Sequence, residues 1–386
     1  MFKLSMPPLP IETGHVLFDI SRLYRSRNRS FATGVDRIDL AIALNLLRQF
    51  RERCRFLHVT PKGTVILQHR VAAALILHLE GNWNRRKNRV LPQALLKEPA
   101  GWVLRRGVLG AVKPDTTYVV ASHTGLGKVT GGMQKLDPGR ILRRLVYIHD
   151  IIPMDMPEYQ RPGTREAFAA YLRELTNAPL TVVSNSLYTD SRVRALAAKE
   201  NWPVRSFEIG IPTLDRLPWS ERAPRAEVDA YLADPRPFFT IIGTIEPRKN
   251  HLLLLNLWRQ MQFDGVETPR LCIVGKRGWE NENIVDMLDR CEAIRDVVTE
   301  FDNLDDYEVQ ILMQKSKALL FPSFIEGLGV PLLEAAALDV PCIVSDIAVF
   351  REIAPPGTVF LDPLDGPGWK SAILAKTQDA ERALRG

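Results

Sequence analysis

Short apolar runs of strand length alternate with helix-length segments along nearly the whole chain, and this alternation narrows the possible folds more than any other feature. In the first half the runs are HVLFDI, FLHVT, TTYVVAS, RLVYIHD and PLTVVSN. A polar loop, SRLYRSRNRSFATG, is expected after the first run, and the helix VDRIDLAIALNLLRQF begins after Gly34. The pattern breaks near Gly210, where IGIPTLDRLPWSERAPRAEVD is rich in proline and charge and reads as a linker. A second series starts at FFTIIGT and continues with LCIVG, ALLFPS, CIVS and TVFLD. Strands separated by helices are joined by crossovers, so each series implies a parallel sheet and an α/β fold. The expected organisation is a Rossmann-like domain at residues 1–210, a linker at 211–236, a second Rossmann-like domain at 237–365 and a closing helix at 366–386. Two such domains would face a central crevice at the carboxyl ends of their strands.

A chain of 386 residues is long enough for two or three cores. It has no apolar run of transmembrane length, and MFKLSMPPLPIETG lacks the apolar centre of a signal peptide. Cys54, Cys272, Cys291 and Cys342 are scattered, with no CxxC pair and no histidine at ligand spacing. That pattern fits a reduced, cytoplasmic setting without a structural metal. Charge is divided unevenly. Residues 1–210 hold 32 basic and 17 acidic side chains, and residues 211–386 hold 19 and 28. The basic excess concentrates from Arg48 to Lys113, where Trp83 and Trp102 stand beside arginine pairs. An anionic membrane surface is the expected partner, each basic residue near lipid contributing about 1 kcal/mol. A solvated basic face is the alternative. Nucleic acid is not expected, because no common nucleic-acid module motif is present.

Residues 321–346 read FPSFIEGLGVPLLEAAALDVPCIVSD. Glu326 and Glu334 lie eight positions apart, with Gly327, Leu328, Gly329 and Pro331 between them. Proline suits the first position of a helix, because its missing N–H is an orphan there in any case. Residues 327–330 are therefore expected to form a tight turn whose amides, helped by the helix dipole, attract an anion. A carboxylate on each side of a phosphate-binding turn suits a ligand that also carries hydroxyls, as nucleotide-sugars do.

This segment resembles the donor-binding motif of the retaining GT-B glycosyltransferases of family 4, the glycosyl transferases group 1. The resemblance implies that Glu326 and the amides of Gly327, Leu328 and Gly329 contact the donor sugar and phosphates, and that Glu334 holds the ribose. Upstream, GTIEPRKNH places Arg248 and Lys249 where a strand gives way to a helix. Positive charge is unfavourable at a helix start and calls for a reason. A departing diphosphate supplies one, since arginine clamps phosphate oxygens bidentately. The family has a matching Arg and Lys that hold the donor diphosphate.

The stretch HDIIPMDMPEYQRPG follows the strand RLVYI, and its pattern is similar to a subgroup that builds bacterial polysaccharides and includes mannosyltransferases. By that resemblance His149, with Asp150, reaches the donor sugar or phosphate. Gly34, in TGVDRID, permits close approach of a ligand to the backbone. The arginines at 22, 25, 27 and 29 either meet an anionic acceptor, such as a lipid diphosphate, or belong to a flexible solvated loop. Lys276, in GKRGW, is a further candidate for nucleotide binding. SHTGLGKVTGG is not a phosphate loop, because Ser122 replaces the first glycine and Val129 the hydroxyl residue. It leaves His123 near the acceptor. Asp305 and Asp306 mark a helix start.

The candidate catalytic residues are thus His149, Glu326, Arg248 and Lys249, and the candidate donor-binding residues are Gly34, Asp150, Lys276, Gly327, Leu328, Gly329 and Glu334. The implied reaction moves a hexose from a nucleotide-sugar, with GDP-mannose the first expectation, to a saccharide or lipid-linked oligosaccharide, with retention. No cofactor or metal is expected, because fixed cations serve the diphosphate. A GT-B-fold nucleotide-sugar epimerase and a non-catalytic nucleotide-sugar-binding module are the alternative readings.

Overall fold

The computed structural model describes residues 2–12, 14–29, 32–60, 63–83, 113, 115–123, 125–216 and 222–385. Most of the tryptophan- and arginine-rich stretch, including Trp102, Arg85, Arg86, Lys87, Arg105 and Arg106, lies outside the described residues, as do residues 217–221 of the expected linker. The chain divides into two compact units. One comprises residues 3–155 and 162–213, and the other residues 1–2, 156–161 and 214–386.

The first unit holds β2 (His15–Asp19), β3 (Cys54–Thr60), β4 (Gly63–Leu67), β5 (Thr116–Val120), β6 (Arg143–Ile148), β7 (Leu180–Ser184) and β8 (Val204–Ile209). They form one sheet in the order β4-β3-β2-β5-β6-β7-β8, parallel throughout except for the antiparallel β3–β4 pair. The second unit holds β10 (Phe238–Ile242), β11 (Arg270–Val274), β12 (Val298–Phe301), β13 (Leu319–Phe321), β14 (Cys342–Ser345) and β15 (Val359–Leu361), in the order β12-β11-β10-β13-β14-β15. All pairs in this sheet are parallel. A two-stranded sheet pairs β1 (Phe2–Ser5) with β9 (Thr213–Arg216). In both large sheets the chain builds outward on one side and then reverses, between β2 and β5 and between β10 and β13. This is the doubly wound, Rossmann-like order, and loops that leave the carboxyl ends at the reversal diverge and open a pocket.

The central strands read as uninterrupted apolar runs because helices cover both faces of a parallel sheet. Every residue of β5 and of β11 is buried. The strands not anticipated from the sequence lie at sheet edges. β8, with sequence VRSFEI, is at best half-buried along its length, and β12 reads VTEF. One face of each meets water, so polar residues interrupt the apolar run.

Two local expectations need correction. The region read as a linker contains β9 and a helix, Ala226–Ala233. Val228 and Tyr231 of that helix are buried with Phe238, Cys272, Val274 and Phe301, because they share one helical face despite the surrounding charge. The closing helix is present as Gly366–Arg385, and its Trp369 and Ile373 pack into the core of the second unit with Leu254, Leu257 and Trp258. The polar loop after β2 begins as a short helix, Ser21–Arg25. There the buried Asp36 accepts from Arg22 Nε at 2.7 Å and pairs with Arg29 at 3.4 Å, while Arg27 lies over the Tyr24 ring. Asp36 also completes a capping box with Thr33 at the start of the helix Gly34–Phe50. Arg22, Arg27 and Arg29 therefore help to order this turn.

Among the described residues no helix is long and apolar enough to cross a membrane. The segment Met156–Arg161, which follows the His149 loop, belongs to the second unit. The Tyr159 ring stacks on Phe324 at 5.5 Å and 4°, Trp279 Nε1 donates to the Tyr159 carbonyl at 3.1 Å, and Arg161 covers the Trp279 ring.

Two buried histidines set a pH dependence. In the first unit His58 stacks against Tyr24, and burial, with Arg25 and Arg27 adding, pushes its pKa down to about 4. In the second unit burial, with Lys249 adding, pushes His251 down to about 3. The unfolded rings titrate near 6.5, so between these values the unfolded chain binds protons that the folded chain refuses. Stability is complete above pH 6.5 and falls as pH drops. At pH 4.5 the loss should be roughly 2–3 kcal/mol for each ring. Urea unfolding at pH 7 and pH 4.5 measures it, and a flat profile would show that both rings accept protons in the folded state.

Candidate functional site

The reversal between β10 and β13 places two loops side by side. After β10 the chain runs through Gly243 and an extended Glu246 into a single 3-10 turn, Pro247–Lys249. Asn250, in the left-handed region at φ 57°, then starts the helix His251–Phe263. After β13 the chain runs through Ser323 and Glu326 to Gly329, which starts the helix Val330–Ala337 with Pro331 in its first turn. The Phe324 N–H donates to the Arg248 carbonyl at 2.9 Å and fastens one loop to the other. A third loop, after β11, comes close enough that a Cβ on Gly275 would lie 1.9 Å from the Gly243 carbonyl oxygen.

Four ionisable side chains meet here. Glu326 is 6% exposed and Lys249 7% exposed. Glu326 Oε1 accepts from Lys249 Nζ and from Ser323 Oγ, the latter at 2.8 Å. Its Oε2 pairs with Arg248 Nη1 at 2.9 Å. Arg248 Nη1 also donates to the Ile325 carbonyl at 3.0 Å, and Nη2 pairs with Glu246 Oε1 at 2.8 Å. The Lys249 ammonium stands 4.7 Å above the Phe321 ring. Burial opposes the charge on Glu326, but Arg248 and Lys249 overcome it and hold the carboxyl at about 2. Burial also draws Lys249 below its ordinary value, against the pull of Glu326. The arrangement can offer two fixed cations to an anion and a carboxylate to hydroxyl groups. Among the described residues no group of three or more His, Cys, Asp or Glu side chains could hold a metal ion.

Of the residues singled out from the sequence, the second unit thus brings Arg248, Lys249 and Glu326 into direct contact. Gly327, Leu328 and Gly329 form the turn beyond Glu326, Leu328 being buried. Glu334 follows, half-buried, on the Val330–Ala337 helix. Lys276 is exposed at the end of β11, and its carbonyl accepts from the Ile245 N–H at 2.8 Å. Its neighbour Arg277 is committed to Asp289 and Glu300.

His149, Asp150 and Gly34 lie in the first unit. His149, at the end of β6, bonds through Nε2 to the Ala121 carbonyl beyond β5. Asp39 stands 3.6 Å from the same nitrogen and is 1% exposed. Neither of its carboxylate oxygens has a hydrogen-bond partner among the described residues. The Asp150 carboxylate accepts from the Ile152 N–H at 3.0 Å and shapes the turn that follows. Gly34 is the first residue of the helix that carries Asp39. His123 meets the Phe168 ring edge-on. Asp19, at the end of β2, accepts from the Leu126 N–H of the same loop, and a Cβ on Gly125 would strike it at 2.2 Å, so Gly125 serves a structural turn. Asp305 caps the helix Asp306–Lys315, the helix start expected of that acidic pair.

Asp39, Glu246 and Ser323 were not picked out from the sequence. Asp39 had a visible signal, since it interrupts the buried face Ile38, Leu40, Ala41 and Ile42. Glu246 stands inside GTIEPRKNH, but only the folded loop shows which way its charge is used. Gly329 tests the turn. Its φ is +91° and a Cβ there would lie 2.8 Å from the Phe350 ring, so Gly329→Ala combines left-handed strain with a clash. It should cost about 2 kcal/mol, and an unchanged thermal midpoint would refute this account of the turn.

Comparison with known proteins gives a consistent picture. Residues 226–366 match the family model described as glycosyl transferases group 1. The serotype-specific mannosyltransferase WbdA of Escherichia coli is 30% identical over 215 residues, 54% of this chain and 26% of the relative. The O-antigen chain mannosyltransferase B of Escherichia coli is 25% identical over 63% of each chain. The O-antigen chain mannosyltransferase RfbU of Salmonella typhimurium is 34% identical over 35% of this chain and 37% of its own. The chain therefore spans less than two thirds of these relatives' lengths. In fold it is similar to Anabaena Alr3699/HepE in its complex with UDP-glucose, with a TM-score of 0.59 at 12% identity over 95% of this chain and 90% of that one. Residues 226–366 thus carry a match to the glycosyl transferases group 1, within a two-domain, Rossmann-like α/β fold, and the chain resembles polysaccharide mannosyltransferases.

Proposed function

We propose that the protein is a retaining, metal-independent mannosyltransferase that moves mannose from GDP-mannose to a lipid-linked saccharide during bacterial polysaccharide synthesis. The observation that carries this reading is the buried contact of Arg248, Lys249 and Glu326 at the strand-order reversal of the group 1 domain. Mannose is favoured by the relatives, three of which are named mannosyltransferases.

In this mechanism the sugar–phosphate bond loosens first and the anomeric carbon gains positive charge. Negative charge then builds on the departing diphosphate, where Arg248, Lys249 and the amides of the Gly327–Gly329 turn receive it. Preorganised charge of this kind costs no rearrangement as the reaction proceeds, which makes it an effective source of rate. Glu326 orients the sugar through its hydroxyls, and Glu334 holds the ribose. His149, held by Ala121 and backed by Asp39, is assigned to the donor sugar or phosphate. Asp150 and Gly34 take supporting parts, in the turn after His149 and at the start of the Asp39 helix.

The first test is thermal stabilisation by GDP, UDP, dTDP and ADP, since a ligand that binds only the native state must raise its midpoint. GDP should give the largest shift. No response to any of the four would sink the enzyme reading, and a preference for UDP would change the donor. Glu326→Ala and Lys249→Ala should each lower transfer at least a hundredfold. Because each breaks a buried ion pair, each should also cost about 3–5 kcal/mol. Circular dichroism must therefore show a folded variant before its rate is read, and near-normal turnover in either would remove the residue from the site.

The basic first half, set against an acidic second half, suits an enzyme whose acceptor is anchored at an anionic bilayer. The protein should sediment with anionic liposomes at low salt and be released at high salt. Equal binding to neutral liposomes would leave the basic stretch as a solvated face.

A further inference from the structure

The cationic pair offered to the diphosphate is already neutralised within the protein. Arg248 and Lys249 carry two positive charges, and Glu246 and Glu326 carry two negative ones. All four side chains lie together at the ends of β10 and β13. The two carboxylates are placed differently. Glu326 contacts both cations and a hydroxyl, so each of its oxygens has a partner. Glu246 is 1% exposed and touches Arg248 through Oε1 alone, while its Oε2 is buried with no hydrogen-bond partner among the described residues. Burial raises its pKa, with Arg248 and Lys249 opposing.

A buried carboxylate with an idle oxygen is expensive, and as a mere brace for Arg248 it could be replaced by an amide of the same shape. What an amide cannot supply is the charge. We propose that Glu246 is a positioning residue that also sets the net charge of the diphosphate site, holding Arg248 from behind while keeping the four-residue cluster neutral, so that the nucleoside diphosphate product is bound weakly enough to leave. This rests on the function proposed above. With the cluster neutral, the diphosphate binds through directed hydrogen bonds. With the charge of Glu246 removed, the same hydrogen bonds gain an uncompensated positive charge, and the product is retained.

The test is the isosteric variant Glu246→Gln, with GDP as the probe and affinity read by titration calorimetry at two salt concentrations. One unit charge about 10 Å away, at an effective dielectric near 20, corresponds to roughly a tenfold change in affinity. Glu246→Gln should therefore bind GDP about tenfold more tightly, with a steeper salt dependence. Its kcat and its KM for the donor should fall together as product release slows. Glu246→Asp, which keeps the charge, should stay near the original affinity.

Should Glu246→Gln not fold, the comparison moves to Arg248→Gln alone and with Glu246→Gln, a pair in which both ion partners are replaced. A charge role predicts that the double variant binds GDP about tenfold more tightly than Arg248→Gln. Equal affinity of those two, or unchanged or weaker GDP binding by Glu246→Gln, would overturn the proposal. Failure of the underlying function looks different: the unmodified protein binds no nucleoside diphosphate, or Arg248→Gln and Lys249→Ala bind it as well as the original.

Discussion

The Glu326 carboxylate joins two loops that are 77 positions apart in sequence. It receives Lys249 and Arg248 from the loop after β10 and Ser323 from its own loop after β13. The surroundings of β10 and β13 can be understood as what this buried contact requires. The strands must be adjacent, so the strand order must reverse between them. Both loops must be short and fastened, as the Phe324 N–H and the Arg248 carbonyl fasten them. A third loop must approach closely, which Gly275 permits and a larger residue would not. An ion pair taken out of water gains only when its geometry is complete, and here each Glu326 oxygen has a charged partner.

The same organisation recurs in the first unit with different chemistry. Its reversal lies between β2 and β5, and the residues gathered near it are His149, Asp39 and the Ala121 carbonyl rather than a charge cluster. One fold therefore presents two kinds of site at its carboxyl ends: cations and a carboxylate on the second sheet, a histidine backed by a carboxylate on the first. The glycines divide similarly. Gly329 is required by its backbone angle and by the Phe350 ring, whereas Gly125 in the first unit is required by Asp19.

Much of the fold was legible because buried parallel strands must be apolar throughout. FFTII, LCIV and CIVS announce themselves, and Pro331 marks its helix start. Edge strands such as β8 and β12 were not legible, because water on one face allows polar residues into the run. The helix Ala226–Ala233 was missed for a related reason: its charges suggested a linker, and only the positions of Val228 and Tyr231 on one face reveal that it packs. Trp369 and Ile373 likewise share a face, but a sequence cannot say which core receives it.

The candidate site shows the same division. Sequence by itself determined which residue types were present and where along the chain they fell: the basic pair after the first strand of the second series, and the two glutamates around a glycine turn. Those are local facts, fixed by spacing and by the rules of strand and helix ends. Only the tertiary structure decided that Arg248 and Lys249 are spent on Glu326, that Glu246 holds Arg248 from the other side, and that Asp36 engages Arg22 and Arg29 of the first loop. Charge acts through space and burial multiplies it, so the partner of an ion depends on which strands become neighbours. That neighbourhood belongs to the fold and to no single segment of the chain.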